Sequence, residues 1–136
     1  MSTVQDNSFS DPSGDTPSIT SLHLPNINTA EALARFAGDE TRYRHWLAEF
    51  IDHGPAAMIQ IKEALANGSS ETATKLVHAL KGRTGMLGMS ELHVISRALE
   101  MALHNNEPAN LWLDELALSV DEMSKHLSAA LGKPPQ

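Results

Sequence analysis

The sequence contains no cysteine, which excludes disulfide scaffolds, thiolate metal sites, cysteine nucleophiles and most zinc-finger designs. That usage fits a reducing compartment. Aromatic residues are scarce at 4%. With Ala and Leu plentiful, this favours packed helices over a sheet sandwich. Basic residues are in deficit: 10 Lys and Arg against 17 Asp and Glu give a formal charge of −7. A field of that sign repels phosphate backbones, so no nucleic-acid partner is expected. No apolar run approaches the roughly 20 residues of a membrane helix, and the first residues lack the basic-then-apolar pattern of a secretory signal. The expected address is the cytoplasm, with no membrane contact by this segment.

At 136 residues and 41% hydrophobic, the chain has room for one domain with a core of its own. Residues 1–24 read as a flexible acidic and polar tail or linker, rich in Ser, Thr, Asp, Gly and Pro. Their charges, Asp6, Asp11 and Asp15, are all negative, so the remainder carries about −4. Residues 25–131 read as helix after helix, and 132–136, with paired prolines, as a frayed end.

Asn28, with Glu31 three positions on, predicts a short first helix carrying Leu33, Phe36 and Ala37 on one face. Tyr43, Trp46, Leu47, Phe50 and Ile51 form the stripe of a second helix. Gly54-Pro55 is expected to kink or interrupt it, because proline lacks the amide donor. The stripe resumes in phase at Met58, Ile61 and Leu65, and Asn67-Gly68 supplies a stop. Ser69 or Ser70 is expected to cap a third helix from about Glu71 to Leu87, and Ser90 a fourth carrying Leu92, Ile95, Leu99 and Ala102. A last helix shows Leu113, Leu116, Val120, Met123, Leu127 and Ala130. Short connections between amphipathic helices imply antiparallel neighbours. The predicted fold is all-α: an up-down four-helix bundle with a short additional N-terminal helix.

The third helix departs from core-forming chemistry. At about 100° per residue, Leu76, Leu80 and Leu87 share one side, flanked by Ala73, Val77 and Thr84. His78 falls on the opposite, exposed face among Glu71, Thr74, Lys75, Lys81, Gly82 and Gly85. A helical glycine costs about 1 kcal/mol relative to alanine, so Gly82 and Gly85, nearly in line beyond His78, need a reason. They leave a bare strip on which a partner could approach the imidazole. Histidine offers a neutral nucleophilic nitrogen near physiological pH and forms covalent intermediates, and Lys81 adds a cation within reach of an anion held there. Nucleophile, clearance and cation suit temporary custody of a phosphoryl group. The helix has no carboxylate cluster for Mg²⁺, no phosphate-cradling loop and no second acid or base, so those parts would come from a partner. The remaining histidines (His23, His45, His53, His93, His104 and His126) form no compact ligand set, and no metal site is expected.

The run His78-Ala79-Leu80-Lys81-Gly82, followed by Gly85 and Gly88, resembles the HxLKG…G…G signature of histidine-containing phosphotransfer (HPt) domains. Glu31 to Phe50 and Leu92 to Glu100 resemble the helices that flank that signature in hybrid sensor kinases, so the likeness spans about Leu24 to Leu131. The resemblance implies a helical bundle in which His78 accepts a phosphoryl group from a receiver-domain aspartate and passes it to another receiver. It makes Lys81 the nearby cation and Gly82 the small residue that admits the receiver. The expected docking surface comprises Thr74, Lys75, Gly82, Gly85 and Met86, with Gly88 as the closing glycine. It implies a phosphocarrier without kinase activity or cofactor of its own, Mg²⁺ residing in the receiver, and a hybrid histidine kinase in cis or trans. One position departs from the pattern: the family usually carries a small residue where this chain has Arg83. On the wheel Arg83 lies near the apolar edge beside Leu76, so it must snorkel outward or pair with an acid. The competing reading is a helical adaptor that binds a receiver or another protein without carrying phosphate.

Overall fold

A computed structural model describes residues 24–132, together with Ile19 and Leu22. Five helices follow in order: α1 (Thr29–Arg35), α2 (Glu40–Ala66), α3 (Ser70–Met86), α4 (Ser90–His104) and α5 (Asn110–Leu131). There is no strand among the described residues. Helices α2 to α5 form the bundle, with α2 against α3 and α5, and α4 against α3 and α5. Their directions alternate. Ile51 of α2 meets Ser124 of α5, and Gly54 meets Val120. His78 of α3 meets Glu100 of α4, and Gly85 meets His93. The core takes Tyr43, Leu47, Phe50, Ile51 and Ile61 from α2, Ala73, Val77 and Leu80 from α3, Leu92 and Leu99 from α4, and Leu116, Val120 and Leu127 from α5.

The expected break at Gly54-Pro55 does not occur: α2 runs unbroken through Pro55. Proline cannot donate to the carbonyl of Ile51, four residues earlier. The buried Ser124 hydroxyl donates to that carbonyl instead, at 2.7 Å. Gly54 is the contact point of the two helices, since a Cβ there would meet the Phe50 ring at 2.8 Å and Val120 Cγ1 at 3.1 Å. A side chain on α5 thus replaces the missing backbone donor.

The helix ends differ in detail from the sequence expectation. Asn28 does cap α1, its Oδ1 accepting from the Glu31 amide, and Asp39 caps α2 in the same way. Ala37 is not on the apolar face of α1; it is exposed in the turn beyond it, at φ +56°. Ser69 precedes α3 without a side-chain capping bond. Ser90 is the first residue of α4 rather than its cap, a place taken by the buried Met89. Of the expected tail, Ile19, Leu22 and Leu24 are described. Ile19 is fully buried, Leu24 nearly so, and the Ile19 amide donates to Glu40 Oε2 at 2.7 Å. Ile19 and Leu24 therefore belong to the core, with Leu22 packed against it. The rest of the expected tail, and the expected frayed end beyond Gly132, lie outside the described residues.

The α3–α4 turn fixes where the site sits. Gly88 adopts φ +80°, and a Cβ on it would stand 2.6 Å from the carbonyl oxygen of Asn28. Only glycine fits both demands. The Asn28 amide donates to the Gly88 carbonyl at 2.8 Å, and Arg35 Nη1 donates to the Gly85 carbonyl at 2.8 Å, so α1 clamps the end of α3. The Tyr43 hydroxyl donates to the Leu87 carbonyl at 2.9 Å from inside the core, and burial pushes its acid dissociation up to about 12 against the opposing pull of Arg35.

Candidate functional site

Helix α3 buries Ala73, Val77, Leu80 and Thr84 and turns its opposite face to solvent. His78 stands on that face with its side chain 66% exposed. Its Nδ1 lies 2.7 Å from Glu100 Oε2, contributed by α4. The other oxygen of the same carboxylate, Oε1, receives Lys81 Nζ at 2.7 Å. The hydrogen bond from Lys81, seconded by the one from His78, holds the Glu100 carboxyl below its ordinary value of 4.5 against partial desolvation. An ionised carboxylate can only accept, so His78 Nδ1 carries the proton. In the neutral ring the lone pair is then on Nε2. The arrangement is an exposed imidazole whose tautomer is fixed by a carboxylate of a neighbouring helix.

Lys81, the nearby cation of the sequence reading, is held at the site by Glu100. It is three-quarters buried along its length and already paired. The two glycines also part company. A Cβ at Gly82 would find nothing within 4 Å, and the residue is exposed. At Gly85 it would meet His93 Nδ1 at 3.0 Å. The strip is therefore bare at Gly82 and covered by an imidazole of α4 at Gly85, which corrects the expectation of open backbone there. His93 Nδ1 in turn donates to the Lys81 carbonyl at 3.0 Å, tying α4 to α3 one turn past His78. Of the other expected docking residues, Met86 and Lys75 are exposed, the latter beside Glu71 at 3.9 Å. Thr74 is half-buried, and its hydroxyl donates to the Ser70 carbonyl of its own helix.

Arg83 does not pair with an acid among the described residues. Its Nη1 donates to His53 Nδ1 at 2.8 Å, and its guanidinium carbon lies 5.6 Å from the Trp46 ring centroid. The sequence reading allowed only solvent or a carboxylate; α2 supplies an aromatic face and an imidazole lone pair.

A family model, the Hpt domain, matches residues 45–131, well over half of the chain. The chain belongs to the Hpt domain family. No curated protein and no solved structure matches it. Membership carries histidine phosphotransfer in two-component phosphorelays at the level of the family, with receiver domains as the class of partner, and such domains are phosphocarrier modules rather than enzymes in themselves. Among the described residues no helix is long and apolar enough to cross a membrane, and no group of three or more His, Asp or Glu side chains could hold a metal ion.

Within the Hpt domain, Glu100 is the site residue that the sequence reading missed. A signal for it did exist. The α3–α4 hairpin turns about Met89, and Glu100 lies as far after that residue as His78 lies before it. Gly85 and His93 obey the same symmetry. An antiparallel helix pair with a tight glycine turn brings such equidistant residues together.

Proposed function

We propose that this Hpt domain is a phosphorelay intermediate whose phosphoacceptor is Nε2 of His78. The observation that carries the reading is the exposed imidazole with its other nitrogen held by Glu100 at 2.7 Å. In the forward step the Nε2 lone pair attacks the phosphorus of a receiver's aspartyl phosphate in line. The N–P bond forms, the P–O bond to the aspartate breaks, and the carboxylate leaves. The ring keeps its Nδ1 proton and becomes a phosphoimidazolium, whose positive charge faces the Glu100 carboxylate. In the return step a second receiver's carboxylate attacks the phosphorus, and the N–P electron pair goes back to Nε2. Because Nδ1 is still protonated, the group that departs is neutral imidazole rather than imidazolide.

Lys81 adds positive charge beside the site while balancing Glu100. Both oxygens of that carboxylate are engaged, so the Mg²⁺ of the reaction is assigned to the receiver, where it would offset charge on the transferring phosphoryl group. Gly82 gives the receiver clearance, while Met86 and Lys75 lie on the same exposed side. In this reading the module works in the cytoplasm, alongside or within a hybrid histidine kinase, and has no kinase activity of its own.

The test is transfer of labelled phosphate from a phosphorylated receiver to the chain. Acid-labile, base-stable label on the wild type, absent from His78→Gln with helicity unchanged, is the expected result. Label that persists in His78→Gln overturns the assignment. Receiver binding without label would leave the adaptor reading in its place.

A further inference from the structure

The two flanks of His78 differ. On the α4 side a cleft of about 330 Å³ is floored by Lys81 and Glu100, which already satisfy each other, Glu100 also holding His78. On the α2 side the surface is open, passing from Gly82 to the exposed Ala79. It then falls into a trough of about 240 Å³ between α2 and α3. Ala56, Ala57, Leu76, Ala79 and Leu80 wall the trough, His53 stands at its edge as a neutral imidazole, and Arg83 adds a cation there.

An interface centred on His78 is wide enough to take in this region. A typical interface buries about 800 Å² on each partner, a disc roughly 16 Å in radius. Arg83 lies five residues beyond His78, about 7.5 Å along the helix axis and roughly 140° around it, with Gly82 and Ala79 at roughly 40° and 100° between them. The guanidinium is also held in place. It rests on Trp46, and one N–H is bound to His53 Nδ1, which must be an unprotonated acceptor. The proton of that ring is then on Nε2, 3.3 Å from Glu49 Oε1. A guanidinium has five N–H donors, and no carboxylate among the described residues pairs with this one. The cation is therefore positioned in advance and lacks an anionic partner among the described residues.

We propose that Arg83 is a partner-selecting residue: the receiver that fits lays an apolar side chain in the α2–α3 trough and sets a carboxylate against the Arg83 guanidinium. A receiver with lysine or arginine at that place meets like charge and is rejected. The proposal rests on the phosphotransfer reading above and adds to it a criterion for which receivers exchange phosphate with this domain.

The experiment uses the full chain and a panel of receivers charged with labelled acetyl phosphate, with direct labelling of His78 by phosphoramidate as the reference. For a receiver that labels the wild type, Arg83→Ser is expected to raise KM about tenfold, the scale of one charge-assisted hydrogen bond. The ratio of receiver-driven to phosphoramidate-driven labelling falls with it. Arg83→Lys recovers part of the loss, since it keeps the charge without the fork. Replacing the matching receiver carboxylate by lysine reproduces the defect, and Arg83→Glu then restores transfer. Wild-type and Arg83→Ser chains with equal KM across the panel overturn the proposal alone. A wild type that no receiver labels overturns the phosphotransfer reading and this proposal with it.

Discussion

Ser124→Ala tests the account of how α2 tolerates a proline at its centre. The substitution removes the hydroxyl that donates at 2.7 Å to the Ile51 carbonyl, in a place where both residues are buried. Pro55 offers no amide to replace it, so the carbonyl is left without its donor, at a cost of about 1–3 kcal/mol. For a domain of this size, 2 kcal/mol lowers the melting temperature by roughly 8 °C. The decisive variant is the double one. In Pro55→Ala/Ser124→Ala, the new alanine amide can donate to Ile51 in the ordinary helical register, and stability should return to within about 1 kcal/mol of the wild type. Pro55→Ala alone changes stability little, because the carbonyl already has a donor and the loss of proline makes the unfolded chain only slightly freer. Thermal and urea unfolding of the four proteins, followed by circular dichroism, closes the cycle. A double variant no more stable than Ser124→Ala, or a Ser124→Ala protein that melts with the wild type, refutes the reasoning.

Gly82→Ala is expected to stabilise the fold by about 0.5–1 kcal/mol, since the helix gains and the new Cβ meets nothing. It should at the same time slow receiver-driven transfer, which separates a docking role from a structural one in a single protein. Gly88→Ala, by contrast, forces a left-handed residue against the Asn28 carbonyl at 2.6 Å and should cost 2 kcal/mol or more, roughly the left-handed penalty plus the clash, read as a fall in urea midpoint. Tyr43→Phe should lose about 1–2 kcal/mol by orphaning the buried Leu87 carbonyl. It also removes an alkaline transition. The phenol's folded value of about 12 exceeds its ordinary 10.0, so its stabilising effect is complete below pH 10 and disappears as pH rises towards 12. Glu100 works in the other direction. Its lowered carboxyl stabilises the fold above its ordinary value of 4.5, and that contribution fades as pH falls through the lower folded value. Glu100→Gln should therefore flatten the acid limb of the stability profile.

The helical bundle was legible because each helix carries its own apolar stripe and the breaks carry turn chemistry. Leu76, Val77 and Leu80 against His78 and Gly82 give the orientation of α3 from spacing alone, since a 3.6-residue period leaves one face for the core and one for solvent. The same period says which side chain is exposed, so the histidine is legible in the sequence. A local rule also placed the cap Asn28, whose bond reaches only three residues.

What the sequence could not say depends on distances between helices. Pro55 breaks a helix in isolation, and its tolerance here comes from Ser124 on another helix. Gly85 looks like open backbone on a wheel, and only the packing of α4 shows that His93 fills the space. Arg83 pairs with no acid among the described residues, and its contacts with Trp46 and His53 come from α2. The proton arrangement at His78 is of the same kind. Periodicity determines that this imidazole is exposed, but which of its nitrogens holds the proton comes from Glu100, and a local pattern cannot register a contact made by two helices folding back on each other.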